Sequence, residues 1–555
     1  MEDSINDNDQ LNNYFENITI KDKNYRMKQI RKKIIIITII FAFLILIAAG
    51  IVVYIKLNEL TYGEITCVYK TTKDNQNIEL IKNNGKLKYF LKIDGEEFSQ
   101  STSHTFKTSG FHNVTFIFKR RVYSLDNLFE NMEALIEADL SKLDAEELTS
   151  INYLFLRCLN LIKVKFDFNT SNKIERMVKT FSRCKSLTSV TFNFTAEKLK
   201  DITGIFQYCE SLTDIKPDIF NTTNLQIIDD MFTNNSKLSY LDLSHLNFEK
   251  LTSMNSTFFD CENLIDIIFP KSYTNELVYA SATFWHCFSL ENIDLTFLRT
   301  DKVKFMGYLF DGCHKVKQLD MAHFRTNNLI FVGGMFKNCK SLTSIDLSNF
   351  NFEKVESFGE LFEGCQSLEE INLSYINAPL LNSMTNTFKD CKNLKQILLP
   401  RNLGGIKYLT QAFSNCEKLE NIDLSPLYGI QNLEYINSMF HNCTSLKSVE
   451  FPNINATGLY STSNMFYNCS NLKSINMGNF LTSINLYNLE NMFYGCINLN
   501  YLDISKLYIN NNCNIKDIFH GVISNITIKV YKNVNQDLKA QILNLTNLDD
   551  IVYEL

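Results

Sequence analysis

The sequence MFKNCKSLTSIDLSNFNFEKVESF, residues 335–358, decides the fold because its spacing of apolar residues returns along the chain. Similar stretches are MFHNCTSLKSVEF at 439–451 and MFYNCSNLKSINMGNF at 465–480. A fixed period of this length is typical of a solenoid, in which each short unit buries its apolar face only by stacking on its neighbours. We therefore predict one long array rather than several globular domains.

The period is clearest in the phenylalanines. Sixteen of them stand almost evenly along the chain, and eleven of the fifteen intervals between them are 26 residues. They occupy positions 129, 155, 181, 206, 232, 258, 284, 310, 336, 362, 388, 413, 440, 466, 493 and 519. We call this set the phenylalanine ladder, and each turn of the chain that carries one of its members a rung.

The rung of Phe336 contains two kinds of apolar spacing. Over residues 335–342 apolar residues recur every three or four positions, as on one side of a short helical turn. Ile345 and Leu347 alternate as in a strand, and residues 355–358 predict a second short extended stretch. Equivalent strands of successive rungs would form parallel sheets with about 4.8 Å between rungs. The predicted fold class is an α/β or mainly β solenoid of about sixteen repeats.

Residues 34–55 form an uncharged run of 22 residues, which as a helix is long enough to cross a hydrocarbon core of about 30 Å. The 13 residues before it carry seven Lys or Arg, whereas the 20 residues after it carry three lysines among three acids. This asymmetry predicts a single-pass signal anchor with a cytoplasmic N-terminus. The alternative is a signal peptide cleaved near Ala48 or Ala49, but the leader and the apolar run are both longer than that pattern requires.

The remaining segments are interpreted around the anchor and the array. Residues 1–33 are polar and lack periodicity, which is typical of a disordered segment. The predicted domains are a disordered cytoplasmic tail at 1–33, the transmembrane anchor at 34–55, an extracellular β cap at 56–125, the solenoid at 126–525 and a C-terminal cap at 526–555.

Both caps are predicted from local patterns. Three segments before the first ladder phenylalanine alternate like strands: 64–71, 86–93 and 113–120. Asp94-Gly95 suits a tight turn that follows the second of them. After the last rung, residues 526–531 predict a strand and residues 536–544 a helix. Such caps keep water from the terminal rungs of an array.

The quoted repeats resemble those of the BspA-like leucine-rich-repeat surface proteins, because Phe, Cys, Leu, Ile and Leu recur together at fixed offsets in most rungs. The resemblance implies a right-handed array like that of leucine-rich repeats, display on the cell surface, and a role in adhesion or in contact with a host or matrix. One departure is that the position three after the second strand residue, usually Asn, is Phe350 or Leu246 here.

Fifteen cysteines would suggest a disulfide framework in a secreted protein, but thirteen of them lie three residues after a ladder phenylalanine. This cysteine column consists of residues 158, 184, 209, 261, 287, 313, 339, 365, 391, 416, 443, 469 and 496. Disulfides between adjacent rungs are conceivable, although side chains that point the same way rarely meet the required dihedral angle. We interpret the column, which Asn235 interrupts, as buried free thiols that act as small hydrophobic residues. Cys67 and Cys513 lie outside the column, and two interpretations apply to them: a disulfide bridge, or reactive thiols.

The residue between the two strand positions is often acidic. It is Asp at 139, 242, 294, 320, 346, 423 and 503, with Asn372, Glu450 and Asn476 in the same column. One interpretation is a calcium or polyamine site, since like charges stacked at strand spacing repel each other. The other, which we favour, is a solvated sheet face. Because a zinc site usually needs four converging ligands and no CxxC pair occurs, we predict no metal site.

Catalytic and nucleic-acid functions are not predicted. The eight histidines fall on separate rungs, and His245 and His323, which share a column, are three rungs apart. No nucleophile and base pair emerges, and phosphate-binding loops, HExxH and GxSxG are absent from the sequence. We therefore predict no enzyme, no catalytic or cofactor-binding residues and no cofactor. The net charge of -6 is scattered, so no basic stripe is available for nucleic acid.

Asn-x-Ser/Thr sequons beyond the membrane segment are about as frequent as this composition gives by chance. They begin at Asn113, Asn169, Asn193, Asn221, Asn234, Asn255, Asn372, Asn442, Asn455, Asn468, Asn525 and Asn544. Asn442 and Asn468 directly precede column cysteines, where a glycan fits only if the turn faces outward.

These patterns favour a membrane-anchored cell-surface protein that binds an extracellular protein or polysaccharide of a host or matrix. The residues that alternate with Ile345 and Leu347 in each rung are the predicted contact face, with affinity from area and avidity. The alternative is a signalling receptor with a leucine-rich-repeat ectodomain and a short cytosolic tail. Polysaccharide cleavage would need acids clustered with Arg or Lys on neighbouring rungs, a pattern that we do not find in the sequence.

Overall fold

The structure is a computed structural model. It describes residues 6–82, 85, 87–168, 173–194, 196–213, 222–477, 480–482, 486–509, 512–523, 526–532, 534, 536–545 and 551–554. Four positions named above, Lys86 and the sequons at Asn169, Asn221 and Asn525, lie outside the described residues. The chain divides into two compact units, Met1–Tyr62 and Gly63–Leu555.

The first unit is helical. Helix α1 spans Asn6–Glu59 and contains a stretch, within Asn12–Val53, that is long and apolar enough to cross a membrane. The helix also includes residues 6–33, for which the sequence predicts a disordered tail. Neither proline nor glycine occurs between residues 6 and 49, so nothing in the covalent chain interrupts a helix that forms in the apolar stretch.

The second unit begins with an antiparallel cap. Its strands are β1 Glu64–Thr71, β2 Gln76–Glu79, β3 Tyr89–Ile93, β4 Glu96–Phe98, β5 Ser103–Phe106 and β6 Gly110–Phe118. β2 pairs with β5, while the other four follow the order β4-β3-β6-β1. Asp94 and Gly95 join β3 to β4 with positive φ angles of 47° and 96°, as a two-residue hairpin turn requires.

The solenoid consists of short strands separated by turns. Its strands are β7 Leu135–Asp139, β8 Lys163–Phe166, β9 Ser189–Phe192, β10 Tyr240–Asp242, β11 Asp266–Ile268, β12 Glu370–Asn372, β13 Gln396–Leu398, β14 Ser448–Glu450, β15 Ile454–Ala456, β16 Ser474–Asn476, β17 Phe480–Thr482 and β18 Tyr501–Asp503. Strands of neighbouring rungs pair in parallel, as predicted. A 3-10 helix, Ser425–Leu427, lies between β13 and β14.

Both ends of the solenoid sheet are covered by further strands. β1 pairs antiparallel with β7, and the Phe116 ring meets the first ladder ring, Phe129, edge-on at 5.6 Å. At the other end, β19 Thr527–Tyr531 and β20 Ile551–Glu554 extend the sheet beyond β18. Helix α2, Gln536–Leu543, buries Leu538 and Ile542. β20 is not predicted by the sequence.

The phenylalanine ladder forms the axis of the core. All fifteen steps between its sixteen rings are parallel stacks, with centroids 5.4–6.0 Å apart and ring planes within 12° of each other. Every one of these rings is buried. The predicted fold class, a solenoid of stacked repeats with parallel sheets, is confirmed at about 15 turns.

The second extended stretch of each rung is shorter than predicted. One residue in each rung, five before the ladder phenylalanine, forms a parallel bridge to its counterpart in the next rung. The bridges run from Ser124 to Phe331 and from Ser357 to Asn514. The extended stretch predicted at residues 355–358 is thus a single bridging residue in its rung.

The helical turn predicted over residues 335–342 is wrong. In every rung the residues two before and two after the ladder phenylalanine have left-handed φ angles, which no α-helix contains. Alternate backbone N–H groups here bond to the next rung: Gly334 N donates to Gly359 O (2.9 Å), Phe336 N to Leu361 O (3.0 Å) and Asn338 N to Glu363 O (2.6 Å). The N–H groups between them bond along the chain to the residue three before, as Lys337 N does to Gly334 O (3.0 Å). The three-residue spacing that suggested a helix comes from this tight, alternating turn.

Candidate binding surface

The cysteine column satisfies the backbone of the core. All thirteen thiols donate a hydrogen bond to the carbonyl oxygen of the ladder phenylalanine one rung earlier, with Sγ–O distances of 2.9–3.3 Å. The thiols are free and buried, and burial raises the pKa of Cys158 to about 12. The predicted burial is confirmed, and the thiols stay protonated and unreactive. Cys67 and Cys513 are also free and buried.

Asn235 keeps the same bond where the column is interrupted. Its Nδ2 donates to Phe206 O at 2.9 Å, the acceptor that a cysteine would use, and to Phe232 O at 2.8 Å. Its Oδ1 is buried and has no hydrogen-bond partner among the described residues. The break in the column therefore preserves the donor but adds one unpaired acceptor.

The left-handed position before each cysteine explains why Asn, Asp and Gly are frequent there, because these residues tolerate that conformation. Asparagines at this position also bond to each other along the solenoid. Asn415 Nδ2 donates to Asp390 Oδ1 (2.6 Å), Asn442 to Asn415 (2.9 Å) and Asn468 to Asn442 (3.1 Å). The chain thus has an asparagine ladder, at a different position from the usual one. A glycan on Asn442 would break it.

The acidic column lies at the end of the strand position of each rung, and Asp139, Asp242 and Asp503 are the last residues of β7, β10 and β18. In each of its seven aspartates one carboxylate oxygen accepts the backbone N–H two residues later, at 2.8–3.1 Å. Hydrogen bonds from the side chains of Ser244 and Thr296, together with those from the same residues' backbone N–H groups, hold the pKa values of Asp242 and Asp294 below the ordinary value. Across the described part of the chain, no three His, Cys, Asp or Glu residues are arranged to hold a metal ion. The column has a local structural role, turning the chain out of the strand.

The cap holds a constellation that sequence analysis missed. His112 Nδ1 lies 2.8 Å from Asp94 Oδ2, and His112 Nε2 lies 3.2 Å from Thr71 Oγ1, the order of an acid, base and nucleophile. However, the Thr71 hydroxyl donates to the carbonyl oxygen of Thr108 at 3.1 Å, an oxygen that His112 Nε2 also faces at 3.0 Å. The Thr71 hydroxyl is thus bonded to the backbone, and the set clasps the hairpin to β6. The residues are far apart in sequence, so no spacing signal announces them.

The predicted contact face is solvent-exposed. We call the exposed side chains of the solenoid strands and of the equivalent positions in other rungs the strand face. In β11, β12, β13 and β14 the middle residue is buried and its two neighbours are exposed. Ile268 and Leu398 add apolar surface there, with 41% and 38% of their area exposed. This alternation is the one that the sequence predicts for residues flanking Ile345.

Two clefts lie on the strand face where regular strands lapse. One, of about 780 Å³, follows β13 and is lined by Gln396, Leu398, Glu420 and Asp423 among others. The second, of about 630 Å³, lies between Glu291 and Thr343, where the described chain forms no strand. Shallow clefts lined by mixed charges suit an extended ligand held by many contacts.

A third cleft, of about 670 Å³, separates the cap from the first three rungs. The cap contributes Lys70, Gln76 and Glu79, and the rungs contribute Ile136 and Ile162. Sequence reasoning missed this cleft because it depends on the overhang of β2 rather than on any repeated position.

Known families match most of the solenoid. The model described as "Mycoplasma protein of unknown function, DUF285" matches residues 100–217, 200–280, 252–374 and 278–400, which together exceed half of the chain. The model described as "BspA type Leucine rich repeat region (6 copies)" matches residues 360–500 and 409–537. No curated protein sequence matches the chain.

Solved structures of surface and repeat proteins are similar at low identity. A leucine rich cell surface protein from Faecalibacterium prausnitzii is 15% identical over 76% of this chain and 94% of that chain, with a TM-score of 0.31. A leucine-rich repeat protein from Eubacterium ventriosum is 16% identical over 57% and 80%, with a TM-score of 0.28. An LRR protein of Leptospira interrogans is 14% identical over 72% and 91%, with a TM-score of 0.23.

The family matches and the stacked core agree with each other. The matched regions run without a gap from residue 100 to residue 537, which includes every rung of the phenylalanine ladder. The chain belongs to the family described as DUF285 and is a BspA-type leucine-rich-repeat protein with one N-terminal apolar helix.

Proposed function

We propose that this protein is anchored by α1 in a membrane, with its N-terminus in the cytoplasm and its solenoid on the cell surface, and that the solenoid binds an extracellular protein or polymer. The exposed apolar stretch of α1 supports the anchor, since such a surface is stable only when lipid or protein covers it. The lysines and arginines at residues 21–33 support the orientation.

The strand face is the binding surface in this proposal. The observation that carries it is the regular exposure of the residues on either side of the buried strand position, together with two clefts on that face. A long preformed surface allows many weak contacts without ordering a loop, so affinity grows with contact area and avidity.

Attachment of cells that express the protein to an immobilised host-matrix preparation tests this proposal. Leu398→Glu places a new charge among the residues that line the larger of these two clefts and should reduce attachment. Leu380→Glu, at a 53% exposed position outside the strand face, is the matched control and should not reduce it. Equal attachment by both variants would contradict a strand-face site.

The receptor alternative makes a different prediction. Deletion of residues 1–25 should leave attachment intact if the protein is an adhesin. If the protein is a receptor, the same deletion should abolish the cellular response to the matrix.

A further inference from the structure

A band of positive charge lies directly before the apolar stretch of α1. Seven Lys or Arg residues stand between residues 21 and 33, and Asp22 is the only acidic residue from position 17 to position 58. The Asp22 carboxylate lies 3.4 Å from the Arg26 guanidinium and offsets its charge. We call the other six cations the basic band. They are Lys21, Lys23, Lys28, Arg31, Lys32 and Lys33.

The basic band is part of a helix, which fixes how far each cation lies from the apolar stretch. Helix α1 runs through the band and the apolar stretch without a break. With a rise of about 1.5 Å per residue, Arg31 lies about 4.5 Å and Lys28 about 9 Å along the axis from Ile34, where the uncharged run begins. Lys21 lies about 20 Å from the same point.

The inner four cations of the band lie at the depth of lipid headgroups when the apolar stretch spans a bilayer. The headgroup layer is about 5–8 Å thick on each side of the hydrocarbon core. Lys32 and Lys33 fall within it with Arg31, and Lys28 falls at its outer edge. Their side chains are exposed. Because successive residues are rotated by about 100°, these cations spread around the helix rather than forming one stripe.

The other end of the apolar stretch has no such band. Lys56 is the only Lys or Arg between residues 34 and 69, and Glu59 follows it within one helical turn. The excess of positive charge next to the bilayer is therefore confined to the N-terminal side of α1.

We propose that the basic band binds the headgroups of anionic phospholipids in the leaflet nearest the N-terminus. Lysine and arginine side chains donate hydrogen bonds to phosphate oxygens, and clustered cations beside a membrane helix attract lipids of net negative charge. Because the inner cations surround much of the helix, they would gather several lipids around it rather than hold one in a pocket. This inference rests on the membrane anchor of the proposed function, but not on the orientation of that anchor.

Energy transfer in bilayer nanodiscs that contain the full-length protein tests the proposal. Ile30→Trp in a Trp285→Phe background places the only tryptophan beside the inner cations. The acceptors are phosphatidylglycerol and phosphatidylcholine that carry the same pyrene-labelled acyl chain. Phosphatidylglycerol should be enriched about threefold next to α1 in ~0.1 M salt. The enrichment should fall in ~1 M salt, where the Debye length shrinks from about 10 Å to about 3 Å.

Two double variants separate lipid binding from general attraction of anions. Lys28→Gln with Arg31→Gln should remove about half of the enrichment or more, because both cations lie within about 9 Å of the apolar stretch. Lys21→Gln with Lys23→Gln is the matched control. It removes the same charge at about 16–20 Å from the apolar stretch and should leave most of the enrichment in place.

The proposal is overturned if the tryptophan transfers energy equally to the two lipids, or if the two double variants weaken the enrichment equally. It is also overturned if inorganic phosphate at matched ionic strength removes the enrichment, since free phosphate would then be the ligand. Equal transfer to both lipids would still place α1 in the bilayer and leave the anchor standing. Absence of transfer to either lipid would contradict the anchor as well.

Discussion

At the residue scale, thirteen of the sixteen rungs close the core with a ring and a thiol. The ladder ring stacks on its neighbours, and the thiol bonds to the carbonyl oxygen of the ring residue one rung earlier. The sequence predicts both columns, because their positions recur at a fixed period. It does not predict the thiol bond, because a buried cysteine that acts only as a small apolar residue would leave the same pattern.

Replacement of a ladder ring should destabilise the solenoid locally. Phe336→Ala removes a fully buried ring between two stacked partners, so we expect a loss of about 3–5 kcal/mol. Urea unfolding followed by circular dichroism measures it. Tyr428→Ala, at a 70% exposed position, should change stability by less than about 0.5 kcal/mol. Similar losses in the two variants would contradict the ladder.

Restoration of the cysteine column should stabilise the protein. Asn235→Cys keeps a donor for Phe206 O and removes the buried Oδ1 that lacks a partner among the described residues. We expect a gain of about 1 kcal/mol or more in the free energy of unfolding. Asn235→Ala, which removes the donor, should be less stable than the unmodified protein. A destabilised Asn235→Cys variant would argue against the thiol bond.

Asp311 should make the solenoid less stable at neutral pH than at mildly acidic pH. Burial raises the pKa of this carboxyl group from 3.8 to about 6. Between these values the folded state binds more protons than the unfolded state, so the free energy of unfolding falls as pH rises toward 6. Asp311→Asn should remove this slope and raise the melting temperature at pH 7. Asp346→Asn, at an exposed site, controls for the lost charge.

At the element scale, the sequence predicts strands better than turns. Alternation predicts the exposed and buried sides of β12 and the span of β1, because a strand's period is read directly from its residues. The turn around Phe336 is instead held by bonds to the next rung, which are 25 residues away. Its three-residue spacing is shared with a helix, so spacing alone cannot distinguish them. The frequent Asn and Gly residues directly before the column cysteines were the signal in the sequence for left-handed backbone in this turn.

The left-handed turn positions should reject β-branched residues. Gln411 has a φ of 53°, so Gln411→Val should destabilise the protein by about 1–2 kcal/mol. Gln411→Gly should cost less, since glycine adopts this conformation freely. The same change in strand β13, Gln396→Val, should be neutral or stabilising because Gln396 is exposed in an extended segment. Equal effects of the two Gln→Val changes in urea unfolding would contradict the turn geometry.

At the scale of the whole molecule, periodicity predicts the scaffold and leaves the sites unpredicted. The alternating face around Ile345 is visible in sequence because it repeats in every rung. The cap cleft lies beside the first three rungs and uses residues of the cap, so its lining follows no repeat. Such sites exist only after the solenoid aligns its rungs, which is why a shared fold does not specify a ligand.

The central claim is that the solenoid is displayed outside the cell by an N-terminal anchor. The most direct measurement is protease treatment of intact cells that express the protein with a different tag at each end. We expect the C-terminal tag to be lost and the N-terminal tag to survive until the cells are permeabilised. Survival of both tags on intact cells, or loss of the N-terminal tag alone, would contradict surface display in this orientation.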